Sequence, residues 1–487
     1  MSTTSRSRTW TLLIVSLGLF MVVLDNLVIN VALPSIHRQL GASIQELEWT
    51  VNAYVLSYAV LLLTGAAIGD RFGRKRMFIA GIALFTASSA AAAVAPSIGL
   101  LIAARAIQGV GAAIATPLTL TLLADAFPPE KRGLALGVWS GISGIAVALG
   151  PLVGGAVIQL ADWHWIFWIN VPIGVALVPL AAARLGESRG TARRFDLAGL
   201  ALSSAGLFGI VFGLIRAQTI GWTSSEVLIS LIGGAALVIA FIRYELAVDK
   251  PMLPMRFFAK RSFAVTNVVS ISMYFGMFGS IFFLSQFLQN VLGNTPLQAG
   301  VKLLAWTGAT LIVSPLAGIF SERIGSRPFM VIGLALQAVA LVWLALVASV
   351  DTSYVSMVGA MVLGGSGMAL VFAPAANAVL ASVTTDETGQ ASGATNSIRE
   401  LGGVLGIAVL STVFTSNGGY TSGHAFVSGL VPALGVGAAV LAIGALVTLL
   451  LPFSTRATAA EVHGVAEARG ERRPEIAATT APIGSAA

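Results

Sequence analysis

Gly69-Asp70-Arg71-Phe72-Gly73-Arg74-Lys75 (GDRFGRK) lies between two apolar segments, and a degraded copy, Glu322-Arg323-Ile324-Gly325-Ser326-Arg327 (ERIGSR), lies between two others. Aligned from Ala66, the positions Asp70, Arg71, Gly73 and Lys75 match Glu322, Arg323, Gly325 and Arg327 at an offset of 252 residues, with Gly318 opposite Ala66. An acid, a base, a glycine and a second base at one helix–helix turn in each half imply a duplicated bundle. Other pairs fall near the same offset. Gly133, Gly137 and Gly150 match Gly389, Gly393 and Gly406 at 256, and Gly109-x-Gly111 with Pro117 matches Gly365-x-Gly367 with Pro374.

The solvent of this bundle follows from composition. The chain is 56% hydrophobic and 10% charged over 487 residues, with a mean hydropathy of +0.89. Folded in water it would leave apolar surface exposed, so the lipid bilayer is its expected surrounding. The absence of cysteine removes disulfides, thiolate metal sites and cysteine nucleophiles. His37, His164, His424 and His463 form no metal-ligand spacing. No GxxxxGK[ST], GxSxG or HExxH is present, so neither a nucleotide-driven pump nor a common hydrolase is indicated. No metal and no cofactor are expected, and energy is left to an ion gradient.

Runs of about 20 apolar residues predict fourteen membrane helices, from a first at 11–33 to a last at 427–452. No cleaved leader is expected, because the first run is long enough to span and only ten polar residues precede it. With the amino terminus in the cytoplasm, 23 of the 28 Lys and Arg fall on that side and three, Arg38, Arg216 and Lys302, on the other. That bias sets the topology, with both termini cytoplasmic in a multi-pass protein of the cell membrane. The net charge of +7 therefore reflects topology, not a nucleic-acid face.

The organisation expected is a cytoplasmic tail at 1–10 and a six-helix bundle at 11–184. Linkers and an inserted helix pair follow at 185–261, then a second six-helix bundle at 262–452 and a disordered tail at 453–487. The fold class is thus all-α and integral to the membrane.

Asp25 lies inside the first predicted span, in LDNLVINVALP (Leu24 to Pro34). A carboxylate at that depth is costly and faces a polar cavity or exchanges protons. The fourth span carries Arg105 in ARAIQGVGAA (Ala104 to Ala113), a lone cation that needs a partner, with Asp25 a candidate and Gln108 one turn on. The fifth carries LGPLVGG, where Gly150 and Pro151 kink the helix and Gly154 and Gly155 allow close approach. In the GDRFGRK loop, Asp70 can face the amino end of a neighbouring helix, while Arg71, Arg74 and Lys75 hold the cytoplasmic side and Gly73 makes the turn. Arg399 and Glu400 are adjacent in the thirteenth span and point about 100° apart, so they cannot simply neutralise one another. Either they contact ion or substrate, or that helix begins late and both lie near the surface. Trp163, Trp165, Phe167, Trp168 and Asn170 read as an interfacial aromatic belt.

Together, GDRFGRK, ARAIQGVGAA, LGPLVGG and LDNLVINVALP resemble the major facilitator superfamily. The inserted pair and WHWIFWINVPIG (Trp163 to Gly174) resemble its fourteen-helix drug:proton antiporter branch. The resemblance implies two six-helix bundles with two inserted linker helices, and proton-coupled efflux of amphipathic organic molecules such as antibiotics. It also implies that Asp25 and Arg105 serve proton coupling, that Asp70, Arg71, Gly73, Arg74 and Lys75 form a gate loop, and that Gly150-Pro151 typifies exporters. Four positions depart from the family pattern: Ala66 and Ala146 where glycine is usual, His164 where arginine is common, and Glu400 where glutamine is common. Glu400 is then a candidate second acidic site. Asn26, Asn30, Gln108, Tyr274, Asn377 and Arg399 are candidates for the substrate cavity. The expected partners are a small-molecule substrate, protons and the bilayer, with no nucleic acid and a functional monomer. A proton-symport importer of a nutrient or peptide with the same fold is the alternative reading.

Overall fold

A computed structural model describes residues 3–190, 196–249, 251–384 and 387–452. The tail at 453–487 lies outside the described residues. Among those described there are helices and no strands. In chain order these are α1 (Thr3–Leu40), α2 (Ile44–Phe72), α3 (Arg74–Ala93), α4 (Ile98–Ala126), α5 (Pro129–Leu160), α6 (Trp165–Trp168), α7 (Asn170–Arg184), α8 (Leu197–Ile220), α9 (Ser225–Ala247), α10 (Arg256–Ala259), α11 (Arg261–Gln286), α12 (Pro296–Ile324), α13 (Ser326–Val347), α14 (Tyr354–Ala381), α15 (Thr388–Asn417) and α16 (Gly423–Thr448).

Thirteen helical stretches are long and apolar enough to cross a bilayer. A fourteenth span is α5, which bends by 42° between Lys131–Val147 and Leu152–Leu160. The bend falls around Gly150-Pro151, where the sequence has a proline, which lacks the backbone donor that continues a helix. Two details refine the expected spans. The polar stretch before residue 11 is helical from Thr3, because α1 runs on as 38 residues without interruption. The sixth predicted span, 166–184, matches one membrane-long stretch, Trp165–Arg184, made of α6 and α7 with a turn at Ile169.

The repeat is visible in backbone detail. Ser43 caps α2, its hydroxyl accepting from the Glu46 amide while the Glu46 carboxylate accepts from the Ser43 amide at 2.8 Å. Thr295 and Gln298 build the same capping box on α12, 252 residues later. Positive φ recurs at Gly41 (62°) and Gly293 (65°), and again at Gly73 (112°) and Gly325 (97°). These angles are open to glycine and strained for other residues, so both copies keep glycine on entry to α2 and α12 and on exit. Close approaches repeat too. Gly109 packs on the Tyr54 backbone and Gly365 on the Trp306 backbone, while Gly111 meets Phe85 and Gly367 meets Gln337.

Inter-half packing follows the same symmetry. α5 lies along α12, and α2 along α15. In the first seam Gly133 and Gly137 meet Gly318 and Pro315, and in the second Ala66 meets Gly393. Small residues allow this approach where lipid supplies no hydrophobic drive between helices. α8 and α9 pair with each other, and α8 also packs on both α2 and α15. The inserted pair therefore covers the α2–α15 seam and leaves α5–α12 without it.

Candidate functional site

Asp25, 3% exposed, sits where α1, α3, α4 and α7 converge. Its Oδ2 accepts from Arg105 Nη1, and its Oδ1 accepts from Gln108 Nε2 at 2.9 Å and Asn170 Nδ2 at 2.6 Å. Gln108 Nε2 also donates to Ser89 Oγ at 2.6 Å, and its Oε1 accepts from Arg105 Nη1 at 2.7 Å. Arg105 Nε donates to the Thr50 carbonyl at 3.3 Å, and the guanidinium lies 4.3 Å over the Tyr54 ring. A buried ion pair is stabilised when its other donors and acceptors are also bonded, and here polar groups from five helices bond all of them but Arg105 Nη2 among the described residues.

Asp25, Arg105 and Gln108 are the residues expected here from sequence, whereas Asn170 is expected in an aromatic belt. That belt is corrected: Trp163, Phe167 and Asn170 are buried, and Trp163 Nε1 donates to Gln39 Oε1 at 2.8 Å, while Trp165 is exposed. The break at Ile169 turns Asn170, the first residue of α7, inward. An amide inside an apolar run needs a partner in the membrane, which is the signal that marked it. Its pairing with Asp25, across 145 residues, is not marked by any local pattern. His164 pairs with Asp162 at 3.0 Å and stacks on Trp163.

One ring away from this network lies a cavity between the halves. Its wall includes Asn26, Tyr54, Tyr58, Trp139, Tyr274, Phe278, Phe372, Asn396 and Glu400. Tyr54 is shared: its inner side carries Arg105 and the ring also faces the cavity. Among the cavity candidates, Asn26 and Tyr274 line it. Gln108 does not, because its amide is committed to Asp25 and Ser89. Asn377, beyond Pro374 on α14, is not part of the wall. The side chains of Asn30 and Pro151 lie outside the described residues. α15 begins at Thr388, so Arg399 and Glu400 are well inside the helix and not at its surface end. Glu400 reaches the cavity, while Arg399 is buried behind Tyr274 and Phe372, 5.9 and 5.0 Å from their ring centres.

The GDRFGRK turn forms a second cluster. Arg74 Nε donates to Asp70 Oδ1 at 2.8 Å, and its Nη1 donates to Asp125 Oδ2 at 2.8 Å. Gly73 makes the positive-φ turn, Arg71 lies 5.5 Å over the Phe72 ring, and Lys75 Nζ donates to the Ala182 carbonyl at 2.6 Å. The Asp70 carboxylate fills the space that side chains at Gly190 and Gly389 would occupy. Gly389 is in the first turn of α15, where the helix dipole favours an anion. Glu187 and Ser188 of the linker add bonds to Lys75, Arg74 and Asp125. Nearby, Ser392 Oγ donates to the Pro117 carbonyl at 3.0 Å across the halves. This face of the bundle is closed. Gly150 packs on Leu27, and Gly154 and Gly155 are buried.

An all-helical, internally repeated bundle with a central inter-half cavity is the plan of a secondary transporter. The chain matches the model of the Major Facilitator Superfamily over residues 15–407, with a further match over 266–481; it belongs to that family of multi-pass membrane transporters. It is 35% identical over 414 residues to Multidrug resistance protein Stp of Mycobacterium tuberculosis (strain CDC 1551 / Oshkosh), covering 85% of this chain and 77% of that one. It is also 35% identical over 420 residues to the Tetracenomycin C resistance and export protein of Streptomyces glaucescens, with the same coverage. In fold it is similar to the proton:xylose symporter XylE, with a TM-score of 0.67 at 14% identity, over 92% of this chain and 97% of that one.

Proposed function

We propose that the chain exports amphipathic organic small molecules, such as antibiotics or other toxic compounds, across the plasma membrane in exchange for protons. The moving bodies are residues 11–184 and 262–452, joined by 185–261, with both termini cytoplasmic. The relatives named for resistance and export support the direction of transport, as does the bend at Gly150. The observation that carries proton coupling is the Asp25–Arg105 pair behind Tyr54. Protonating Asp25 removes the charge that holds Arg105, and the freed guanidinium sits on a ring that lines the cavity. Proton uptake on the outer side thereby loosens substrate contacts at Tyr54. Proton release to the cytoplasm restores the pair and the site. Glu400 supplies a second acid in the wall, suited to a cationic group or a second proton. The protein needs no cofactor in this scheme and works as a monomer.

The deciding experiment is a drug-susceptibility panel in an efflux-deficient host, comparing the native chain with Asp25→Asn. Resistance from the native chain and its loss in the variant is the expected result; equal resistance removes Asp25 from the coupling. Reconstituted vesicles of known sidedness then fix direction, since a symporter would accumulate substrate with the proton gradient.

A further inference from the structure

Among the described residues three arginines are almost wholly buried, Arg74, Arg105 and Arg399, each about 1% exposed or less. Two of them have acids built for them: Arg74 has Asp70 and Asp125, and Arg105 has Asp25. Each leaves one nitrogen, Nη2, without a partner. Arg399 differs. Its Nε, Nη1 and Nη2 all lack a hydrogen-bond acceptor among the described residues. Glu400, next in sequence, reaches the cavity and does not pair with it. What faces the Arg399 cation is the pair of rings Tyr274 and Phe372, stacked with centroids 6.2 Å apart. Both rings line the cavity. Ser270, one turn before Tyr274, and Thr395, one turn before Arg399, likewise keep buried hydroxyls without a partner among the described residues.

A buried charge without hydrogen bonds is strongly unfavourable, and ring faces compensate only part of it. A cation left without an anion in a low-dielectric wall attracts negative charge across the rings that cover it. We propose that Arg399 is a specificity-determining residue that acts through the rings: with Tyr274 and Phe372 between its cation and the cavity, it favours an acidic group (phenolate, enolate or carboxylate) on a flat aromatic compound stacked on their cavity side. Glu400, on the same helix about 100° away, faces the same cavity, so one wall offers a site for each sign of charge. Aromatic compounds bearing an ionised acid then belong to the ligand class of this cavity, beside the cations that Glu400 suits. The inference rests on the export reading of the cavity.

The test uses the full chain in lipid nanodiscs and two flat aromatic probes of opposite charge, fluorescein and ethidium, measured by equilibrium dialysis. The native chain is expected to bind fluorescein. Arg399→Met is expected to lower the fluorescein-to-ethidium affinity ratio by roughly tenfold or more, as for loss of a charge about 10 Å away at an effective dielectric near 20. Arg399→Lys keeps the charge without the fork and should lower the ratio less. A ratio unmoved in Arg399→Met overturns the assignment. So does a native chain without affinity for fluorescein, a result that stands even if the Met variant does not fold. Ethidium extrusion by the native chain in pH-energised vesicles reports on the export reading separately, since it makes no use of Arg399.

Discussion

At the scale of single residues, the chain shows how a bilayer selects polar groups. Asp25, Arg105, Gln108, Ser89 and Asn170 form a closed set in which each side chain explains another. Asp25→Ala leaves Arg105 buried without its anion, so folding should lose about 3–5 kcal/mol, read as a fall in thermal stability of detergent-solubilised protein. Arg105→Lys keeps the charge but gives up the contacts to Thr50 and Gln108 that the guanidinium fork makes together. Export by that variant should fall well below native levels at similar protein abundance. Asp25 and Arg105 were legible because a charge in an apolar run stands out. Ser89 and Asn170 were not, since a serine or an asparagine in a membrane helix has many possible neighbours and the sequence does not order them in space.

At the scale of helices, termini and glycines carry the information. The capping boxes on α2 and α12 are each worth about 1 kcal/mol, so Ser43→Ala and Thr295→Ala should lower thermal stability by similar amounts, and the double variant by their sum. Gly111 is less forgiving. A side chain there would meet the Phe85 backbone at 2.6 Å, so Gly111→Leu must part α3 from α4. Overpacking of this kind costs about 1–3 kcal/mol or more, and folded yield should drop accordingly. The helix pattern itself was readable from apolar runs and from glycine spacing. The break at Ile169 was not, because Trp165 to Ile169 is an unbroken apolar run with no turn residue, and the turn accompanies burial of Trp163, Phe167 and Asn170.

At the scale of the whole molecule, two seams join the halves, and the one between α2 and α15 is locked by Asp70 against the start of α15. The chain lacks cysteine, so an introduced pair is unambiguous. Ala66→Cys with Gly393→Cys places two thiols side by side at this seam. The disulfide should form readily in membranes, stop export, and release it on reduction; export that persists with the bond closed would mean that this seam does not open during transport. The duplication was visible as an offset in GDRFGRK and its copy, because turn chemistry repeats even where helix surfaces have diverged. The docking of α8 was not visible, since lipid-facing and protein-facing apolar surfaces have the same composition.

That docking makes the two flanks of the transporter unequal. α8 acts as a splint over the α2–α15 flank, whereas at α5–α12 Gly141 faces Leu311 at ordinary contact distance with no inserted helix outside. A greasy compound arriving from within the leaflet meets a wall on one side and a zipper on the other. The molecule thus has a front and a back within the plane of the membrane.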